Sequence, residues 1–183
     1  PEAAGTLVYQ TEKEQALDYA RRLPYALALG VDHIFSGELV DGKFGCPDGI
    51  WYYEGLVTDP ASAQYKVAFY TYRFLVEKLG QASIEETIRH GEDGFFLYRF
   101  ENANKRIWVA WNDGADERAL DISGLDSGPL DVVALVADVE SGKDLAFDGY
   151  PAFFPTTRHT VSTDGKLTLR LHKSPVLFET TVR

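Results

Sequence analysis

Acidic and aromatic side chains are concentrated in one segment of the sequence, between residues 36 and 60. Glu38, Asp41 and Asp48 supply carboxylates there, and Trp51 is followed directly by two tyrosines. Carboxylates accept hydrogen bonds from hydroxyl groups, and aromatic rings pack against apolar C–H faces. Aromatic surface of this kind suits flat or carbohydrate-like ligands, so this segment is a candidate binding loop. The alternative is that Trp51 and its neighbours only pack the loop onto the rest of the fold.

Metal and thiol chemistry are not expected. The acidic segment lacks the ligand spacing of an EF-hand, so calcium is a poor interpretation of its carboxylates. The single cysteine, Cys46, excludes an intrachain disulfide and a thiolate zinc cluster, and its neighbours Gly45 and Pro47 indicate an unactivated loop thiol. The four histidines include no pair at i, i+4 spacing. We therefore expect no cofactor.

The composition excludes several classes of protein. Of the 183 residues, 45% are hydrophobic and 25% are charged, which excludes wholesale disorder. The formal net charge of −10 makes nucleic acids and anionic membranes poor partners. No apolar run approaches the ~20 residues of a spanning helix. The chain begins with no signal-peptide pattern and contains no methionine, so we interpret it as a processed or truncated product.

A helix is predicted near the start of the chain. Thr11 and Glu14 form a capping-box pattern, a hydroxyl followed three residues later by a carboxylate. Apolar residues then recur at helical spacing as far as Gly30, which occupies the position of a helix-terminating glycine. Pro24 lies within this pattern and predicts a kink or a break.

Three further elements are predicted before residue 91. A short, mostly apolar strand follows at residues 31–35. After the acidic segment, a second helix extends over residues 61–79 on a continuous apolar face, and Gly80 ends it. A short third helix with its own capping-box pattern is predicted over residues 83–90.

After Gly91 the pattern changes to short strands separated by turns, which is typical of an antiparallel sandwich. Asp164 and Gly165 predict a hairpin between two alternating runs. Trp108 and Trp111 differ by an odd number of positions, so one should lie in the core and the other, facing outward, is a candidate sugar platform. The predicted strands are residues 95–100, 105–111, 118–122, 130–136, 158–161, 166–171 and 176–182.

The first half of the chain has no obvious partner for its apolar faces. A lone strand needs neighbours to pair with, and each helix is amphipathic on the scale of a larger core. We therefore predict that residues 1–90 are the end of a larger α/β domain whose remainder lies before Pro1. Residues 91–183 are predicted to be a β-sandwich that folds alone.

Four short stretches carry a resemblance to a known group of enzymes: residues 14–22 (EQALDYARR), 28–31 (ALGV), 65–72 (YKVAFYTY) and 109–111 (VAW). The first two resemble the helix that leads into strand 8 of a clan A (β/α)8-barrel glycoside hydrolase, of the family 39 or family 5 kind. The third is similar to the closing helix of such barrels. The fourth, with the late Ser-Pro-Val at residues 174–176, resembles the β-sandwich domain that often follows them.

The resemblance implies a terminal helix–strand–helix segment of a (β/α)8 barrel followed by an antiparallel β-sandwich. Retaining enzymes of this clan use an acid/base Glu after strand 4 and a nucleophile Glu after strand 7, with carboxyl groups ~5–5.5 Å apart. Strand 4 would lie before Pro1. Glu2 is a candidate for the second position, but the apolar strand that should precede it is missing, so no catalytic residue is assigned.

The active sites of such barrels lie at the C-terminal ends of the strands. The resemblance therefore directs Ser36, Glu38, Asp41 and Trp51 towards a bound sugar, with Ser36, Glu38 and Trp51 as the assigned substrate-binding residues. Many relatives have a tryptophan just after strand 8, where this chain has Ser36-Gly37.

The implied function is a fragment of a retaining glycoside hydrolase that acts on β-linked glycosides or oligosaccharides. It would be inactive without its N-terminal barrel segment, and its partners would be that segment and the carbohydrate. The alternative is a non-catalytic module whose sandwich binds carbohydrate or protein and whose helices serve as a docking arm.

Overall fold

The computed structural model describes residues 10–35, 39–42, 54–58, 60–102 and 105–181. In this part of the chain two helices precede an antiparallel β-sandwich, so the predicted combination of an α/β portion with an all-β portion is confirmed. The elements are α1 (Glu12–Ala28), α2 (Val67–Leu79), β1 (Ser83–His90), β2 (Phe95–Asn102), β3 (Lys105–Asn112), β4 (Arg118–Ile122), β5 (Gly128–Ala134), β6 (Thr156–Val161), β7 (Leu167–Leu171) and β8 (Val176–Thr181). Two short 3-10 helices, Gly142–Asp144 and Tyr150–Phe153, lie between β5 and β6.

Local signals determine both ends of α1. The backbone N–H of Glu14 donates to the Thr11 hydroxyl at 3.2 Å, and the N–H of Thr11 donates to the Glu14 carboxylate at 2.7 Å, which completes the predicted capping box. Gly30 has a φ of +80°, and the N–H of Val31 reaches back to the carbonyl of Ala26 at 3.1 Å. This is a Schellman ending, in which the left-handed residue is a glycine because a Cβ is disfavoured there.

Pro24 does not break α1, which continues for four residues beyond it. Pro24 is buried together with Leu23, Ala20 and Ala16 on the face that the helix turns towards the core. A proline removes one hydrogen bond from a helix interior. Tertiary packing of this apolar face compensates for that loss, so the predicted break is wrong.

The strand predicted for residues 31–35 is not formed. Its backbone is irregular, and only Ile34 packs against the core, while Phe35 is 89% exposed. A strand requires hydrogen-bonded neighbours, and none lies beside this segment within the described ranges. In the described part of the chain, this segment therefore has no neighbouring strand to pair with.

The helix predicted for residues 83–90 is strand β1, so this prediction is wrong. β1 pairs antiparallel with β2 at the edge of the sheet, with two register irregularities. The Arg99 guanidinium on β2 lies 2.8 Å from carboxylate oxygens of both Glu85 and Glu86. Cross-strand pairing therefore overrides the local capping pattern, because it satisfies the backbone and these acidic side chains together.

The second helix begins later than predicted, at Val67 rather than just after Pro60. Tyr65 forms an antiparallel bridge with Val57, and the N–H of Lys66 donates to the carbonyl of Leu56 at 2.9 Å. These backbone groups pair with another segment and are not available to a helix.

The eight strands of the described residues form two sheets. Six lie in the order β1-β2-β3-β8-β5-β6, and β4 pairs with β7 in a separate two-stranded sheet. Every neighbouring pair is antiparallel. The predicted strands after Gly91 are thus confirmed, with small shifts at their ends.

The larger sheet is covered on both faces. On β3, Ile107, Val109 and Trp111 join a core with the two helices, while Trp108 and Ala110 join a second core with the β4–β7 sheet. The prediction that the two tryptophans face opposite sides is confirmed. Both are buried, with 1% and 3% exposure, so neither is a surface platform and that expectation is wrong.

The turn at Asp164 and Gly165 forms, but it does not join a hairpin. The N–H of Ser162 donates to the carbonyl of Lys166 at 2.9 Å, and Gly165 has a φ of +74°. However, β6 pairs with β5 while β7 pairs with β4, so the chain crosses from one sheet to the other at this turn.

The helices and the larger sheet share one hydrophobic core. Ala16, Ala20 and Leu23 of α1 lie in the same cluster as Tyr98 and Trp111 of the sheet. The division of the chain at residue 90 stays a prediction, although β1 precedes it and belongs to the sheet. Neither helix in the described ranges is long and apolar enough to cross a membrane.

Candidate functional site

The assigned substrate-binding residues, Ser36, Glu38 and Trp51, lie outside the described residues, as do Glu2 and Cys46. Within the acidic segment the structure describes residues 39–42 and 54–58, which flank residues 43–53 in the sequence. We call residues 39–42 and 54–58, together with their contacts to the helices, the loop base.

The two segments of the loop base are hydrogen-bonded side by side. The carbonyl of Leu39 accepts from the N–H groups of Leu56 and Val57, each at 2.9 Å. The N–H of Asp41 donates to the carbonyl of Val57 at 2.9 Å, and Val40 and Val57 form a parallel bridge. The loop thus leaves and re-enters the fold at one place.

A buried ion pair lies at the centre of the loop base. The Lys66 ammonium is 2.7 Å from the Asp41 carboxylate, and the two residues are 6% and 4% exposed. Asp41 also accepts the N–H of Gly55 at 3.0 Å. The expectation that Asp41 projects towards a sugar is wrong, because its carboxylate points inward to neutralise a lysine and a backbone donor.

Two side chains from the first turn of α1 tie the loop base to the rest of the fold. The amide of Gln15 donates to the carbonyls of Glu54 and Gly55 at 2.7 and 3.0 Å. The Glu12 carboxylate accepts from the N–H of Val67, at the start of α2, at 2.9 Å. It also accepts from the N–H of Gly142 at 2.8 Å, and a carboxylate is well placed at a helix N-terminus.

Two glycines permit close packing here. A Cβ on Gly55 would lie 2.6 Å from the backbone of Asp41, and one on Gly142 would lie 2.1 Å from the carbonyl oxygen of Tyr65. Sequence reasoning did not single out Gly142, Gln15 or Lys66. The one available signal is that polar Gln15 and Lys66 lie directly beside apolar residues at the starts of the two helices.

We expect Gly142→Ala to lower the free energy of unfolding by at least about 2 kcal/mol, because an added methyl group would overlap backbone atoms that cannot rotate away. Urea denaturation followed by circular dichroism measures this. Gly149→Ala is the matched control, because its Cβ would meet nothing closer than 3.8 Å. Equal stabilities of the two variants would contradict the close packing.

The loop base positions chain segments and carries no exposed reactive pair of its own. Asp41 and Lys66 neutralise each other, and Glu12 and Gln15 are engaged with backbone groups. In the described ranges no three histidine, cysteine or carboxylate side chains come together as a metal site. The arrangement can hold together the two ends of the loop at residues 43–53, which contains Trp51, and Glu38 directly precedes its first segment.

A separate concavity of about 340 Å³ lies between the C-terminal ends of the helices and the start of β1. Leu27, Val31, Ile34, Val76 and Leu79 are among its apolar lining residues. Asp32 contributes the carboxylate of this lining. The cleft borders the segment 31–35, which was expected to be a strand, and it offers apolar contact rather than acid–base chemistry.

No protein-family profile matches the chain, and no curated protein matches it in sequence. Solved structures do match its fold. A GH30 endoxylanase from Clostridium papyrosolvens is similar to this chain with a TM-score of 0.58 and 10% identity, over 96% of this chain and 40% of that chain. A family 30 subfamily 8 xylanase from Clostridium acetobutylicum gives a TM-score of 0.48 and 13% identity, over 72% of this chain and 32% of its own. An Anoxybacillus alpha-amylase gives a TM-score of 0.48 and 16% identity, over 93% of this chain and 33% of its own.

The likeness to the endoxylanase concerns the fold, since only 10% of residues are identical. This chain spans well under half of that enzyme's length. The resemblance to glycoside hydrolases inferred from the sequence is thus supported at the level of fold, and its assignment to family 39 or family 5 stays a prediction. We conclude that the chain has a fold found within glycoside hydrolases.

Proposed function

We propose that this chain is part of a retaining glycoside hydrolase that cleaves β-linked glycosides or oligosaccharides. The observation that carries the proposal is the endoxylanase likeness, which extends over 96% of this chain, helices and sheets together, but over only 40% of that enzyme. A chain of this kind would supply the end of a barrel and a β-sandwich. The catalytic carboxylate pair would come from a preceding barrel segment, and this chain alone would be inactive.

The exposed apolar surface near the helix ends supports a missing barrel segment. Residues 31–35 have no strand partner in the described part of the chain, and Phe35 is 89% exposed. Leu29 and Val31, close to Phe35 in the sequence, are 58% and 41% exposed. Exposed apolar side chains of this kind are the ones that a neighbouring segment would cover. Neighbouring barrel strands would pair with residues 31–35 and cover these side chains.

We further propose that Ser36, Glu38 and Trp51 contact the sugar. Glu38 directly precedes Leu39, and Trp51 is three residues before Glu54, so both are on short tethers from the loop base.

The test uses the product of the complete open reading frame, assayed on aryl β-glycosides and β-1,4-xylan. Glu38→Gln and Trp51→Ala should each lower kcat/KM at least about tenfold while leaving the melting temperature nearly unchanged, because each removes a substrate contact. Glu140→Gln, which alters an exposed carboxylate outside the loop, is the control. The 183-residue chain should show no turnover.

Full turnover by both loop variants, with melting temperatures lowered by several degrees, would mean that these residues only pack the loop. Turnover by the pure 183-residue chain would mean that the active site is misplaced. A complete product that binds oligosaccharides but hydrolyses no glycoside would favour the alternative, a non-catalytic binding module.

A further inference from the structure

Two aromatic rings beside the loop base are half-exposed and come from different parts of the chain. Tyr65, just before α2, is 38% exposed, and Phe147, after the first 3-10 helix, is 46% exposed. Their ring centroids are 5.5 Å apart, and Phe69 stacks beneath Tyr65 at 4.2 Å. We call Tyr65, Phe69 and Phe147 the aromatic patch.

Arg73 of α2 holds Phe147 in place. Its guanidinium donates to the carbonyl of Phe147 at 3.2 Å and lies 4.4 Å from the centroid of the Phe147 ring. The same group lies 4.6 Å from the centroid of the Tyr150 ring. Hydrogen bonding and cation–π contact therefore fix both the backbone and the ring of an exposed phenylalanine.

The charge of Arg73 is balanced within the protein. Glu77 accepts from the Nε of Arg73 at 2.9 Å, and it also accepts from the hydroxyl of Tyr150. The Tyr150 hydrogen bond, with the neighbouring guanidinium, holds the pKa of Glu77 below its usual range. Arg73 and Glu77 thus form an ion pair at neutral pH, and the guanidinium does not require an anionic ligand.

Tyr65 is fixed by its backbone. It is bridged to Val57, and its carbonyl oxygen lies against Gly142, where no Cβ would fit. Ala63, two residues earlier, has a φ of +45°, a conformation that non-glycine residues rarely adopt. Such strained residues persist only where the surrounding structure determines them, and they cluster at functional sites.

We propose that the aromatic patch, formed by Tyr65, Phe69 and Phe147, binds a pyranose ring of a neutral oligosaccharide. Fixed, exposed rings supply a face for sugar C–H groups at little cost in conformational entropy, and the Tyr65 hydroxyl can donate and accept hydrogen bonds. Arg73, the cation in contact with the Phe147 ring, is paired with Glu77, so the patch does not select an anionic ligand.

A small ligand fits the patch better than a protein does. Two half-exposed side chains offer far less than the about 800 Å² that each partner buries in a stable protein interface. The choice of a sugar as the ligand class rests on the proposed function. The geometry of the patch is independent of that function.

The experiment titrates the 183-residue chain with xylohexaose and with cellohexaose and follows binding by calorimetry and NMR. Phe147→Ala should weaken binding about tenfold or more, because a stacking surface is lost. Phe147→Leu keeps apolar volume and removes the ring, so it should weaken binding to a similar extent while the chain stays folded. Tyr25→Ala is the matched control, since Tyr25 is 37% exposed and stacks on His90 outside the patch. It should bind like the unmodified chain.

Several results would overturn the proposal. One is no saturable binding of either oligosaccharide by the folded chain at millimolar concentration. Another is an affinity of both Phe147 variants within twofold of the unmodified chain. Self-association that Phe147→Ala abolishes, without sugar binding, would make the patch a protein interface. If the chain binds no sugar but the complete reading-frame product hydrolyses glycosides, sugar binding by the patch is wrong and the proposed function stands. If the chain binds sugar through the patch and that product hydrolyses nothing, the proposed hydrolase function is wrong and the patch stands.

Discussion

A chain that begins at Ala82, without either helix, is expected not to fold cooperatively. The helices cover one face of the larger sheet, where Tyr98, Phe100, Ile107 and Val109 are at most 1% exposed. Full burial of such a side chain contributes about 1.5–3 kcal/mol. Uncovering several of them together would remove an amount similar to the whole stability of an ordinary domain, about 5–15 kcal/mol.

Urea denaturation, near-ultraviolet circular dichroism and dye binding to exposed apolar surface would measure this effect. A chain that begins at Gln10 and keeps both helices is the control, and it should unfold in one cooperative step. If the chain beginning at Ala82 were monomeric with a cooperative transition, the β-sandwich would be an independent unit, as the sequence-based division near residue 90 predicts.

Lys66→Met is expected to lower the free energy of unfolding by about 3–5 kcal/mol, because it leaves the Asp41 carboxylate buried without its ammonium partner. Asp41→Asn should lower the free energy of unfolding by a similar amount, since it leaves the charge of Lys66 without this carboxylate. The double variant removes both charges, so it should be clearly more stable than the sum of the two single losses implies.

Lys13→Met is the control for Lys66→Met. Lys13 lies 2.9 Å from Glu140, whose side chain is 90% exposed, and such solvent-exposed pairs contribute little to stability. Urea denaturation of the unmodified chain, the two single variants and the double variant gives the coupling energy between Asp41 and Lys66. Additive losses, or a Lys66→Met variant as stable as the Lys13→Met variant, would show that the buried pair does not hold the loop base together.

Local signals in the sequence were sufficient to predict those features that depend on contacts between residues a few positions apart. Thr11 and Glu14 cap α1, and Gly30 ends it, because each motif satisfies backbone groups within one turn. The strands after Gly91 were found for a related reason. Alternation of apolar and polar residues between turn residues follows directly from the two-residue period of a strand. The opposite orientation of Trp108 and Trp111 is a consequence of the same period.

Which surfaces meet depends on contacts between segments that are distant in the sequence. Residues 83–90 carry a helix-capping pattern and still form β1, because β2 offers hydrogen bonds and Arg99 neutralises two of their carboxylates. The turn at Asp164 was predictable, but the pairing of its two strands with different sheets was not. Trp111 is buried because the helices cover its face of the sheet.

The candidate site shows the same division. The types of Glu38, Asp41 and Trp51 indicated carbohydrate binding, and these are properties of single side chains. The inward orientation of Asp41 depends on Lys66, which lies 25 residues away in the chain. The aromatic patch likewise depends on Phe147 meeting Tyr65. Periodicity and capping report on neighbours in sequence, whereas burial, ion pairing and exposure depend on contacts between distant segments, such as those of Asp41 with Lys66 and of Tyr65 with Phe147.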